Sequence, residues 1–367
     1  MFSLHDKMSA SGNRPAGFDY LRIGLSVAVI FWHGVAAAYG WGAEAAYWAG
    51  PARGLIYAIV PAFFALSGFL VAGSLLRNSI GAFLALRAIR IVPALFVEVV
   101  VSALLIGSLV TRLPLHDYVR DPQFRAYFLN TLGNIHYTLP GVFTLNPAPD
   151  VVNVQLWTIP YELECYIGVV FLSLLRLHKS PRLFALAILG LCVAATIHGI
   201  ATGDTSALGS RPPGRFVVCC FMAGVSLFLL RHRVPFDRRL FALSLPVSYL
   251  LLQSGSLLYL ACFPVAYATI YLGVTNPRRD ILGCVAGYSY GIYLYGFPIQ
   301  QLVSSAWPDH RSWLLNVSAS LAITLVLAAC SFHFVEEPTL ARKALVLRIV
   351  DRVRWPRLAG RRAFPAT

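Results

Sequence analysis

The chain has 367 residues, 57% of them hydrophobic and only 13% charged, with a formal net charge of +14. Soluble domains carry about 25% charged and about 45–50% apolar residues, so this composition excludes a soluble enzyme. The basic excess lies in short clusters between apolar segments rather than on an aromatic-interleaved surface. It therefore reads as membrane orientation, and no nucleic-acid partner is expected.

In chain order, residues 1–18 read as a cytoplasmic N-terminus. Lys7 and Arg14 precede an apolar run from Ile23 to Ala38 that superficially resembles a signal peptide. The run carries Arg22 and His33 and many spans follow it, so it is read as an uncleaved first helix. Apolar windows of spanning length lie near 19–39, 55–76, 89–110, 153–175, 183–201, 216–230, 240–255, 256–274, 281–303 and 313–334. The expectation is an all-α polytopic membrane protein of about ten transmembrane helices, with one membrane domain over 19–341. Residues 126–145 form a weaker stretch broken by Gly133, Asn134, Pro140 and Gly141. Polar backbone at membrane depth is tolerated only against protein or water. That piece is expected to be re-entrant or interfacial, between helices three and four.

Charge supports the count. With the N-terminus inside, 23 of the 30 basic residues fall on the cytoplasmic side. Only Arg53, Arg112, Arg120, Arg125, Arg211, Arg215 and Arg311 stay outside. Making 126–145 a full span would flip every later loop and destroy that bias. The tail 342–367 mixes apolar and basic positions at near-helical spacing and reads as an amphipathic anchor on the cytoplasmic leaflet. Cys165, Cys192, Cys219, Cys220, Cys262, Cys284 and Cys330 all sit in apolar segments without metal-ligand spacing, so neither a metal nor a disulfide framework is expected.

Ionisable side chains inside spans are costly, which makes each a functional candidate. Arg22 and His33 are eleven residues apart, three helical turns plus about 20°, so they share a face with an axial separation of about 16 Å. Arg22 then sits at the cytoplasmic mouth and His33 near or beyond the midplane. A histidine titrates near working pH and suits proton transfer. Glu162 should also lie near mid-membrane, where it could orient or charge-balance an imidazole; Glu164 faces elsewhere and Glu98 is a further buried carboxylate. Ser67 and Gly68 permit close approach and a hydroxyl contact, although small residues in membrane helices usually serve packing. Arg87 and Arg90 fall one turn apart at the cytoplasmic start of the third helix, where a guanidinium pair can bind phosphate bidentately or simply anchor the helix. The late stripe with Tyr290, Tyr293, Gln300 and Gln301 suits either a carbohydrate-accepting cavity or helix packing.

Six elements now appear in one order: Arg22-x10-His33, Ser67-Gly68-Phe69, Arg87-xx-Arg90-Ile-x-Pro93, Leu156-Trp-Thr-xxx-Glu162, the SYGIYLYGFP run from Ser289, and FVEEP from Phe334. Together they resemble the acyltransferase-3 family of integral membrane O-acyltransferases, which modify cell-envelope and secreted carbohydrates. The resemblance implies a ten-helix core in a bacterial inner membrane with both termini cytoplasmic. It implies a cytosolic acyl-CoA, acetyl-CoA first, as co-substrate rather than a resident cofactor, and a sugar hydroxyl on the far side as acceptor. Membrane lipid, glycan-assembly proteins or a second copy are the other partners it suggests. By position His33 matches the catalytic histidine, Arg22 its partner, Arg87 and Arg90 the donor-side arginines, and Glu162 the carboxylate of its element. Ser67, Tyr290, Tyr293 and Gln300 are candidates for lining the cavity or contacting the acceptor. This chain departs from the pattern at Gly296, where many relatives have a histidine, and at Leu163, where a second carboxylate is common. The appended esterase-like domain of some relatives is also missing. General-base catalysis and a transient acyl-histidine both remain open. The competing class is a proton-coupled transporter or glycan flippase, against which the arginine pair and the lack of paired repeats with broken helices argue.

Overall fold

The computed structural model describes residues 2–203, 211–278 and 285–352. It is all-helical, with only two isolated β-bridges among the described residues. The principal helices are Gly17–Tyr39 (α1), Trp41–Ala49 (α2), Ile59–Arg77 (α3) and Ile80–Val100 (α4). They continue with Ile159–Leu174 (α5), Pro181–Thr202 (α6), Gly214–Leu229 (α7) and Arg238–Gln253 (α8). Cys262–Gly273 (α9), Ser289–Ala306 (α10), Trp313–Ser331 (α11) and Lys343–Asp351 (α12) complete the order.

Five helical stretches are long and apolar enough to cross a bilayer: Gly17–Tyr39, Arg53–Arg77, Ile80–Val110, Pro181–Thr202 and Trp313–Ala341. Each of the ten apolar windows contains a helix, but α5, α7 and α8 have 16 residues, α9 has 12 and α10 has 18. Helix length therefore supports five spans and leaves the count of ten to other arguments. Single 3₁₀ turns at Val154–Thr158, Leu258–Ala261 and Ala286–Tyr288 lead into α5, α9 and α10, which shortens their regular parts. Residues 281–284, with Cys284, and the tail beyond 352 lie outside the described residues.

The third window begins earlier than its hydropathy indicates. Ser79 caps α4, its hydroxyl accepting from the Ala82 amide at 3.2 Å. Arg87 and Arg90 therefore lie within the helix rather than at the end of a loop. A π-helical turn over Val101–Ile106 carries this helix on to Val110.

The connections sort to two ends. At one, Leu4 N–H donates to Val234 O at 3.0 Å, Phe236 N–H to Phe2 O at 2.8 Å and Gly17 N–H to Thr275 O at 3.0 Å. At the other, Tyr57 donates to Arg211 O at 2.9 Å, Arg311 to Leu145 O at 3.0 Å, and Trp313 N–H to the Tyr39 hydroxyl at 3.0 Å. The irregular stretch after α4 leaves and returns at this second end, because Arg112 N–H donates to Gly141 O at 3.0 Å and Thr111 to Pro140 O at 2.8 Å.

Packing around the site relies on small residues, as expected where no water drives helices together. A Cβ on Gly68 would stand 2.0 Å from Phe221 O, and one on Gly224 2.0 Å from Ala65 O. The backbones of α3 and α7 thus touch at two points. α1 is held by polar bonds instead: Ser26 donates to Ser289 O at 2.8 Å, Gln300 to Ile30 O at 2.7 Å and Ser304 to Ala37 O at 2.6 Å. These contacts ascend both helices together, so α1 and α10 run parallel. By contrast α6 turns Leu183, Leu186, Ile197 and Ile200 outward, the surface a lipid-facing helix presents.

Candidate active site

Three arginines converge on one cavity. Arg22 of α1 and Arg87 and Arg90 of α4 line an internal space of ≈ 160 Å³. Glu162 and Tyr166 of α5, Ser67 of α3, and Tyr290 and Tyr293 of α10 line it too. Spacing explains the pairing: positions three apart on α4 lie on one face, and so do Glu162 and Tyr166, four apart on α5. Three guanidiniums and one carboxylate line the cavity, so its wall is rich in donors suited to an anionic group. The Tyr166 hydroxyl donates to Glu162 Oε1. Arg90 is also tied from below, with Nη1 3.4 Å from Oε2 of the buried Glu336. The FVEEP element thus supplies a carboxylate that aims one of the arginines.

His33 does not line this cavity. It lies three turns further along α1, and its ring meets Phe297 of α10 edge-on at 5.6 Å between centroids. Its partner is Glu44: Nδ1 lies 3.2 Å from Oε1, with the carboxylate side chain 4% exposed and the imidazole 17%. A carboxylate can only accept here, which places the proton on Nδ1 and leaves Nε2 as the basic nitrogen. Gly40, with φ +90°, makes this possible. It ends α1 in a backbone conformation open to glycine, lets α2 fold back, and has no room for a Cβ, which would stand 2.9 Å from Pro147 O.

The sequence-derived candidates thus separate into groups. Arg22, Arg87, Arg90, Glu162, Ser67, Tyr290 and Tyr293 come together in the cavity. Glu162 is engaged there with Tyr166 rather than with the imidazole. Gln300 is fully buried and braces α1 instead of lining the cavity. Glu98 is buried as a structural node, accepting from Ser102 at 2.8 Å and Asn153 at 2.9 Å. Glu164 is exposed on the outer face of α5. Sequence reasoning missed Glu44, Tyr166 and Glu336. Glu44 was visible as a lone carboxylate in an apolar stretch, and only the reversal at Gly40 brings it back onto α1.

Comparison with known proteins places this arrangement. A family model described as an acyltransferase domain matches residues 16–333. The chain belongs to the acyltransferase-3 family. As a member it is an O-acyltransferase, and the matched range holds every residue of the arginine cavity together with His33 and Glu44. An O-acetyl transferase of Shigella phage Sf6 is similar, 27% identical over 302 residues that cover 77% of this chain and 84% of the relative. Nodulation protein 10 of Rhizobium leguminosarum bv. viciae is 29% identical, covering 92% of this chain and 97% of its own length. No solved structure matches the chain.

Proposed function

We propose that this O-acyltransferase takes an acyl group, acetyl first, from cytosolic acyl-CoA and delivers it across the membrane to a hydroxyl of a cell-envelope or secreted carbohydrate. The observation that carries this reading is one helix, α1, that contributes an arginine to the arginine cavity and, three turns on, carries a carboxylate-partnered histidine. The donor's phosphates would bind Arg22, Arg87 and Arg90 by charge-assisted hydrogen bonds, each about 1.5–3 kcal/mol. The pantetheine arm would rise along α1 to bring the thioester to His33. Nε2 would take the proton of the sugar hydroxyl as its oxygen adds to the thioester carbonyl. When the C–S bond breaks, the imidazolium, held by Glu44, would return that proton to the departing coenzyme A thiolate, leaving the acyl group on the sugar. Removing water from the thioester favours transfer over hydrolysis.

The chain would lie in a bacterial inner membrane with its N-terminus cytoplasmic: the backbone bonds put the N-terminus at the same end as the 231–236 and 275–278 turns, and the basic residues clustered there favour the cytoplasmic side. That parity is what ten spans require. Carbohydrate acceptor, membrane lipid, and glycan-assembly proteins or a second copy are the partners this reading takes.

The test is mass spectrometry of envelope polysaccharide and secreted glycans from a strain lacking the chain, complemented with wild type or with His33→Ala. The expected result is loss of one O-acyl modification, restored by wild type alone. Unchanged glycans in the deletion strain, or full restoration by His33→Ala, would overturn it.

A further inference from the structure

Between the arginine cavity and His33 lies Gln155, in the 3₁₀ turn that leads into α5. It is 1% exposed, yet neither Nε2 nor Oε1 of its carboxamide has a hydrogen-bond partner. Buried polar groups are nearly always satisfied, and an orphaned pair of a donor and an acceptor is an exception that asks for a partner.

Its place is defined by its neighbours. Gln155 O accepts from the Tyr293 hydroxyl at 2.9 Å and from Thr158 Oγ1 at 3.3 Å, and both of those residues line the cavity. Its side chain points the other way. A Cβ on Gly296 would meet Nε2 at 3.3 Å and Ile30 Cγ1 at 2.9 Å. Ile30 is three residues before His33 on α1, and Gly296 immediately precedes the Phe297 that meets the imidazole. Arg22 to Ile30 is a rise of about 12 Å, and Ile30 to His33 about 4.5 Å. The carboxamide therefore sits below the imidazole and well above the guanidiniums.

We infer that Gln155 clasps the donor's pantetheine arm across the two-carbon unit between its two amides, Nε2 donating to the carbonyl of one and Oε1 accepting from the N–H of the other. A trans amide turns its carbonyl and N–H to opposite sides, so two successive amides meet the two orphans, whereas a thioester carbonyl, an ionised phosphate or an ether oxygen satisfies only the donor. A hydroxyl also carries both functions, and unchanged coenzyme A binding in the variants would point to it. The pantetheine arm carries such amides, and the last is joined to the sulfur by a two-carbon tether, which matches the short rise from Ile30 to His33. Gln155 is a donor-positioning residue, and the inference rests on acyl-CoA being the donor.

The experiment is calorimetric titration of the purified full chain in detergent with two probes, coenzyme A and adenosine 3′,5′-bisphosphate, which lacks the arm. Gln155→Leu removes two unpaired buried polar atoms and so should fold at least as well as wild type; Gln155→Met serves as the second variant. Expected is a loss of coenzyme A affinity of roughly 10–100-fold, from two hydrogen bonds, with bisphosphate affinity unchanged. Equal coenzyme A binding by wild type and both variants overturns the inference, as does weakening of both probes alike. A variant that binds coenzyme A normally but transfers the acyl group slowly also overturns it, because Gln155 would then act on the reacting carbonyl. If wild type binds neither probe, the donor reading itself fails.

Discussion

Glu44 Oε1 stands 3.2 Å from Nδ1 of His33, although the two residues belong to different helices separated by the reversal at Gly40. The contact fixes the orientation of the imidazole and turns Nε2 away from the carboxylate. His33→Ala should lower turnover about 10²–10⁴-fold. Glu44→Gln should lower it less, because the amide can still meet Nδ1 but no longer stabilises the imidazolium. Coenzyme A affinity should be unchanged in both, so initial rates together with a binding isotherm check the assignment. Wild-type turnover in His33→Ala would return the imidazole to a packing role.

Arg87 and Arg90 should not behave alike. Arg87→Ala removes a cavity guanidinium whose Nε has no partner, so donor affinity should fall about 10–150-fold with little change in Tm. Arg90→Ala also strands the buried Glu336 carboxylate, adding a stability loss of about 1–3 kcal/mol. Arg90→Ala/Glu336→Gln should recover part of the stability and none of the affinity. Thermal melts beside donor titrations separate the two effects.

Gln300 offers a contrast between bracing and recognition. Gln300→Met deletes the bond to Ile30 O and should cost about 1–2 kcal/mol of stability. Since the side chain is buried away from the cavity, KM for the donor should stay within twofold. A large change in donor KM at unchanged Tm would place Gln300 in the ligand site after all.

At the α3–α7 contact, Gly68→Ala places a methyl 2.0 Å from a backbone oxygen that cannot rotate away. Overpacking of this kind costs about 1–3 kcal/mol even where side chains can yield. The variant should lose folded, membrane-inserted protein in expression trials, and Gly224→Ala should fail in the same way. Normal yields of both would show that the two helices can separate.

Cysteine labelling tests the sidedness. Single reporters at Asn13 and Asn78 should be protected from an impermeant reagent added outside, while those at Asp117 and Asp309 should react. A reactive Asn13 together with a protected Asp309 would invert the arrangement and remove the cytoplasmic meaning of the arginine cavity.

Much of this site was legible because one-helix geometry is robust. Eleven residues between Arg22 and His33, and three between Arg87 and Arg90, set their relative faces before any packing is known. The family motifs named Ser67, Glu162, Tyr290 and Tyr293 without gathering them, and Glu162, expected beside the imidazole, lies in the arginine cavity with Tyr166. Glu44 escaped because its position depends on one backbone reversal, and hydropathy is blind to φ at Gly40. Glu336 escaped because its partner lies 246 residues away on α4. Gln300 stayed open between cavity and packing because a polar side chain in an apolar stripe has the same signature whether it meets a ligand or a neighbouring helix; the structure places it on Ile30 O. The start of α4 was misplaced for a related reason: its first turns are amphipathic, and a window tuned to apolar runs passes over them.

The bonds that join α1 to α10 each pair a side chain on one helix with a main-chain carbonyl on the other. Carbonyls are present whatever the residue, so the register between the helices is encoded by Ser26, Gln300 and Ser304 and is indifferent to what stands at Ile30, Ala37 or Ser289. A change at Ser26, Gln300 or Ser304 should therefore remove a bond outright, whereas a change at Ile30, Ala37 or Ser289 keeps its carbonyl bond and is limited by the packing of these buried positions alone. The same seam makes α1 a ruler. On the proposed reading, a donor anchored at Arg22 would have to span about 16 Å to reach His33, so length itself would select among donors before any pocket is shaped for an acyl group.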